Sequence, residues 1–285
     1  MIETGDNAAI FSVAFHSDGM QLLGGSTERL QRWRIADRQE VGNQMAMDVD
    51  AISVSTDGKW IVCGTTTQGE SVWDAKTQEM AIEVEGTNDV NAVDISPEST
   101  RFATTARGDV DKSANIWSII TGEKLVGPLQ HDGFIVGIKF SPNGEHIATA
   151  VAHSNRVFDS HNGDQLITIK AGISQWAVST PLAWSNDGQQ FFVACGDLKI
   201  KSFDVSTGSQ LAESQVHDES DGARVIPSIA LATNGKFLAT FTGRSISFCD
   251  TSTLTRINPL QSSRTVKRFG RLLSPQIAAI LRREE

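Results

Sequence analysis

No stretch of the 285-residue chain stays apolar for about 18 residues, so no membrane-spanning helix is expected. Met1-Ile2-Glu3-Thr4-Gly5-Asp6 lacks a basic n-region and an apolar h-region, so no secretory signal is expected either. There is no Asn-x-Ser/Thr acceptor. Cysteine is scarce: Cys63, Cys195 and Cys249 are odd in number, far apart and set in strand-like apolar contexts. They read as reduced core residues rather than a disulfide framework or metal ligands. Tyrosine is absent. Also missing are Gly-x-Ser-x-Gly, His-Glu-x-x-His, Gly-x-x-x-x-Gly-Lys-Ser/Thr and Cys-x-x-Cys, which removes the common signatures of hydrolase, zinc, nucleotide and redox chemistry. Basic charge is also short. The net charge is −9, against a non-specific hold on nucleic acid, which depends on neutralising phosphates. The deficit is uneven: residues 261–285 carry +4 and residues 1–260 carry −13.

What the chain does have is a cassette repeated six times. Each copy runs apolar strand, tight turn and small-residue strand to a Trp-Asp-like end. These ends are Arg32-Trp33-Arg34, Val72-Trp73-Asp74, Ile116-Trp117-Ser118, Val157-Phe158-Asp159, Ser202-Phe203-Asp204 and Phe248-Cys249-Asp250. The markers at 33, 73, 117, 158, 203 and 249 are 40, 44, 41, 45 and 46 residues apart. A fixed period of this length signals a repeat architecture. Each copy begins with an alternating apolar strand, such as Phe11-Ser12-Val13-Ala14-Phe15 or Ala92-Val93-Asp94-Ile95. A turn follows, and five of the six turns hold Asp-Gly or Asn-Gly, which predicts type I′ hairpins. The third, Pro97-Glu98-Ser99, lacks glycine and is expected to be looser. After the third strand several copies read Asp-x-x-Thr/Asn-Gly, as at Asp204 to Gly208, before a fourth strand. Four short antiparallel strands in about 43 residues make one propeller blade.

On these residues the chain resembles the WD40-repeat β-propeller family over residues 1–260. Phe140-Ser141-Pro142-Asn143-Gly144 and Val72-Trp73-Asp74 stand close to the family pattern. The style of the copies, including Gly127-Pro128-Leu129-Gln130-His131, resembles long WD40 arrays of fungal proteins, some of them linked to non-self recognition. The resemblance implies an all-β propeller with six recognisable four-stranded blades, its closure open, as a shortened version of a seven-bladed ring. It also implies first strands lining a central channel, with Asp94 and Lys139 at equivalent places in adjacent blades. Two readings of that pair stand: a salt bridge, or separate exposure to channel water. The family's blade-tying network of His, Asp, Ser/Thr and Trp is thin here. Only Asp111 and Asp197 match its Asp, only His131 and His217 its His, and no copy holds both. Apolar packing between blades is therefore expected to dominate.

Residues 261–285 form a basic tail. Ser274-Pro275 is a helix-start signal, and Ile277, Ile280 and Leu281 make one apolar stripe. A docking segment and a loosely ordered terminus both fit.

The expected function is a non-enzymatic interaction scaffold that presents inter-blade loops to a protein or peptide. The alternatives are a truncated or regulatory copy without binding of its own, and, last, a propeller enzyme. The candidate partner-binding residues are Asn7, Asn88, Asp89, His131, Asp132, Phe134, Trp176, Asp218 and Asp221. Their acidic lean points to a basic partner. Trp176, in a loop between copies, suits either a binding hot spot or half-burial between blades. No catalytic residue, metal, cofactor, nucleic acid, integral membrane contact or small-molecule ligand is expected. The expected compartment is the cytoplasm, with the nucleus as the alternative.

Overall fold

In a computed structural model the described residues are 10–26, 28–42, 45, 47–65, 67, 69–84, 89–106, 112–151, 154–170, 181–195, 198–216, 228–232, 234–241 and 246–257. They form 23 β-strands in six antiparallel sheets, with no helix among them. Sheet one has β1 (Ile10–Phe15), β2 (Gln21–Ser26) and β3 (Leu30–Arg34) in the order β1-β2-β3. Among the described residues, single bridges from Trp33 to Glu40 and from Leu30 to Met45 pair its outer edge. The other five sheets have four strands each and run in chain order. Sheet two holds β4 (Ala51–Val54), β5 (Trp60–Thr65), β6 (Gly69–Asp74) and β7 (Met80–Val84). Sheet three holds β8 (Val90–Ile95), β9 (Arg101–Ala106), β10 (Ser113–Ser118) and β11 (Lys124–Gln130). Sheet four holds β12 (Ile135–Phe140), β13 (His146–Val151), β14 (Asn155–Asp159) and β15 (Gln165–Ile169). Sheet five holds β16 (Leu182–Trp184), β17 (Gln190–Ala194), β18 (Lys199–Asp204) and β19 (Gln210–Gln215). Sheet six holds β20 (Ser228–Leu231), β21 (Phe237–Phe241), β22 (Ile246–Asp250) and β23 (Arg256–Ile257).

The turns between first and second strands differ from the type I′ expectation. Only the last residue is left-handed: Gly58 at φ 72° and Gly144 at φ 74° donate N–H to Ser55 and Ser141 three residues back. This is a type I turn closed by a left-handed residue. The serine starting it is the reason. Ser55 Oγ donates to Asp57 and accepts from Trp60 N, and Ser141 and Ser185 do the same in sheets four and five. The third turn is not looser. Ser99 takes φ 60° and donates to Ser96 O at 2.9 Å, in the place glycine holds elsewhere. The later Asp turns behave alike: Asp74 Oδ1 accepts from Lys76 N and Thr77 N, and Asp204 Oδ1 from Thr207 N.

The chain divides into two compact units, residues 1–140 with 160–163 and residues 141–159 with 164–285. In the first, Leu23, Leu30, Val49, Ile52 and Ile61 join sheets one and two in one core, and Val62, Val90, Val93, Phe102 and Trp117 join sheets two and three in another. Gly64 on β5 makes the second junction possible. A Cβ there would lie 2.4 Å from Val90 Cγ1 and 2.9 Å from Val93 Cγ1, so only hydrogen fits between the sheets. In the second unit, Phe192, Ile200, Val216, Ile229 and Leu238 share a core. Trp33, Trp117, Phe158 and Phe203 are buried as expected of blade-core aromatics, whereas Trp73 is half-buried.

Polar links supplement this packing. Trp117 Nε1 donates to Thr104 Oγ1 at 2.9 Å, and Thr104 Oγ1 donates to Glu70 Oε1 of sheet two at 2.7 Å, all within the core. A buried polar chain therefore does cross from sheet two to sheet three, with Glu70 as its acceptor. Sequence reasoning did not see it. Asp111 and Asp197 lie outside the described residues, as does His217.

Candidate functional site

Strands β8 and β12 run side by side. Asn91 Nδ2 donates to Ile135 O at 3.1 Å, and farther along Asp94 Oδ2 accepts from Phe140 N at 2.8 Å. Antiparallel pairing then brings the starts of β8, β10 and β12 and the ends of β9 and β11 to one edge. Four of the sequence candidates sit there: Asp89 before β8, and His131, Asp132 and Phe134 before β12. Asn7, Asn88, Trp176, Asp218 and Asp221 lie outside the described residues, as does the tail 261–285.

The loop 131–134 is tied down at its base. His131 N donates to Lys112 O at 2.9 Å, and the buried ring places Nδ1 2.8 Å from Leu129 O. His131 thus anchors the loop from inside, while Asp132 is exposed and Phe134 is 46% exposed. The Phe134 ring has the Lys112 ammonium 5.8 Å from its centroid, a cation–π distance. Asp89 adopts φ 71°. Sequence reasoning missed Lys112, whose signal was weak: a lysine directly after Asp111 and ahead of a strand. It also missed Asp48, which stands five residues before Ser53 as Asp89 does before Asp94. Asp48 Oδ2 accepts from Thr67 Oγ1 at 3.4 Å, and burial, with Asp50 nearby, raises its pKa.

The Asp94–Lys139 bridge forms. Lys139 Nζ is 3.4 Å from Asp94 Oδ1. Burial raises the Asp94 pKa, opposed by the Lys139 charge and the Phe140 N–H. Both carboxylate oxygens are occupied by these contacts, which join sheet three to sheet four. Among the described residues no group of three or more His, Cys, Asp and Glu is placed to hold a metal ion. Burial pushes the Cys63 and Cys249 thiols up to about 12, away from nucleophilic chemistry. No helix among the described residues is long and apolar enough to cross a membrane.

Successive four-stranded antiparallel sheets, with inner strands side by side and interaction-capable loops at strand ends, define a β-propeller. The fold likeness agrees: the chain superposes on the structure of U3-55K with a TM-score of 0.74 at 15% identity, over 89% of this chain and 82% of that one. The WD40 repeats of RRP9 give a TM-score of 0.74 at 14% identity, over 89% and 81%. Residues 79–118 match the family described as "WD domain, G-beta repeat". Residues 79–118 therefore resemble one repeat of the WD40 kind, within a chain whose fold is that of a β-propeller. It is 23% identical over 217 residues to transcription initiation factor TFIID subunit 5 of Caenorhabditis elegans, covering 74% of this chain and 33% of that protein. It is 30% identical over 124 residues to small ribosomal subunit protein RACK1 of the same organism, covering 41% and 37%. Protein HIR1 of Eremothecium gossypii is 24% identical over 235 residues, covering 66% and 28%. The chain therefore spans only about a third of the length of these curated relatives.

Proposed function

We propose that the chain is a non-enzymatic scaffold whose loop edge at β8, β10 and β12 receives a protein or peptide with basic side chains. One observation carries this reading: Phe134 is a large exposed ring beside exposed Asp132, on a loop locked at its base by buried His131. A rigid aromatic loses little entropy on binding and is a common interface anchor. Asp132 and Asp89 would meet lysine or arginine, with Phe134 covering the apolar stem of such a side chain. Support comes also from the family, whose propellers generally mediate protein interactions, and from relatives named as a transcription-factor subunit and a ribosomal-subunit protein. The inner-strand series Ala14, Ser53, Asp94, Lys139, Ala183 and Ala230 holds one carboxylate, itself bridged to Lys139, which speaks for a scaffold rather than an enzyme. The same reading extends to a cytoplasmic or nuclear setting without nucleic-acid binding, and to the propeller over residues 1–260 with a separate tail.

A peptide array of paired Lys/Arg-rich and Asp/Glu-rich sequences, probed with the full chain, tests it. Basic peptides should bind, and Phe134→Ala and Asp132→Lys should each weaken binding at least ten-fold with the melting temperature unchanged. Preference for acidic peptides, or binding that neither substitution touches, would refute it.

A further inference from the structure

The turn between the third and fourth strands places one residue in left-handed backbone in each of sheets two to six. These residues are Gln78, Gly122, Gly163, Gly208 and Leu254, with φ between 54° and 80°. Gln78, Gly122, Gly208 and Leu254 donate N–H to the residue four back, at Asp74, Ser118, Asp204 and Asp250, over 2.8 to 3.0 Å. One backbone form therefore carries glutamine, glycine or leucine.

What differs is the neighbour. A Cβ on Gly122 would lie 2.7 Å from Ile82 Cγ2, one on Gly163 2.8 Å from Val126 Cγ1, and one on Gly208 2.9 Å from Ile167 Cγ2. Ile82, Val126 and Ile167 are equivalent seats on the fourth strand of the sheet before. They pair with Val72, Ile116 and Val157, the residues ahead of the markers Trp73, Trp117 and Phe158. Where the turn residue is large, the seat is small. Ala212 holds the same register opposite Ser202, and Leu254 is fully buried in the core against which Ala212 packs. The Gln78 side chain fills the space a Cβ on Gly42 would need. None of these five junctions sets two large residues or two small ones together.

We infer that this size-matched pair is the device by which each sheet accepts its follower. A glycine turn fits a branched aliphatic seat. The leucine turn of sheet six fits Ala212, and the glutamine turn of sheet two fits Gly42. Leucine against Ile167 would overlap it, and glycine against Ala212 would leave a void in a close-packed junction. Repeats this alike are prone to docking out of order. A mismatched pair disfavours the wrong neighbour while the matched pair favours the right one. The device is independent of the Phe134 edge and its partner.

Sheets four and five test it in the full chain. Gly208→Leu gives sheet five the turn residue of sheet six, and Ile167→Ala gives sheet four the seat of sheet five. In urea unfolding, each single variant should raise the unfolding equilibrium constant at least ten-fold. The constant of the double variant should lie at least ten-fold below the product of the two single effects. The strain of leucine in left-handed backbone is common to the single and the double variant, so it drops out of the comparison. Leu254→Gly with Ala212→Ile is the reverse cycle and should couple in the same sense. A single variant that fails to fold while its double variant folds meets the same expectation. Multiplicative effects in either cycle, single variants indistinguishable from wild type, or a double variant that folds no better than its singles, overturn the inference.

Discussion

Thr104 is the most informative single position for stability. Its hydroxyl accepts from Trp117 Nε1 at 2.9 Å and donates to Glu70 Oε1 at 2.7 Å, with all three residues buried. Thr104→Val keeps the shape and removes both interactions. The indole N–H then has no acceptor and the Glu70 carboxylate loses a donor. Each buried polar group left unsatisfied costs about 1–3 kcal/mol, and more when charged, so the expected loss is about 2–5 kcal/mol. Thr104→Ser keeps the hydroxyl and loses one methyl, for about 1 kcal/mol. Urea unfolding followed by tryptophan fluorescence separates the two through their midpoints at unchanged slope. Adding Glu70→Leu to Thr104→Val should recover part of the loss, because replacing both partners by apolar groups leaves fewer orphans. A Thr104→Val loss below about 0.5 kcal/mol, or equal losses for valine and serine, would show that the polar chain does not hold sheets two and three together.

Three further outcomes follow from the same contacts. Gly64→Val forces an isopropyl group into the space of Val90 and Val93, so stability should fall by about 1–3 kcal/mol or more; an unchanged unfolding midpoint would show that the sheets separate freely. Burial raises the folded-state pKa of Asp94, so its protonated form favours the fold. Wild type should gain on Asp94→Asn as pH falls through the weakly acid range, and a difference that is flat or reversed in pH speaks against this. The turn carboxylates behave oppositely: Thr77 N–H lowers the Asp74 pKa, and the Ser206 and Ser252 hydroxyls lower those of Asp204 and Asp250. Their stabilisation is present above the unfolded carboxylate pKa and fades as pH falls through the lower folded values, so wild type should exceed Asp74→Ala in stability near neutral pH and the gap should narrow as pH falls; equal stability at neutral pH would refute the cap.

Much of the candidate edge was legible because it depends on register. Asp89, Asp132 and Phe134 were marked by their place ahead of a first strand, and the strands formed where the alternation put them. Exposure was not legible: His131 and Asp132 are neighbours in the chain, yet one is buried under the loop and the other faces water. The Asp94–Lys139 pair was readable as equivalent positions, but only packing brings the charges to 3.4 Å. Glu70 carried no signal at all, because its partner is 34 residues away in another sheet.

The sequence by itself determined the repeat length, the strand order within each sheet and the places of the turns, since these follow from period-two apolar patterning and from local Ser, Asp and Gly chemistry. The tertiary structure decided which turn conformation formed, which polar groups met between sheets, and that Gly122, Gly163 and Gly208 face Ile82, Val126 and Ile167. Those depend on which surface comes to rest against which, and side chains far apart along the chain share no local pattern that announces their contact.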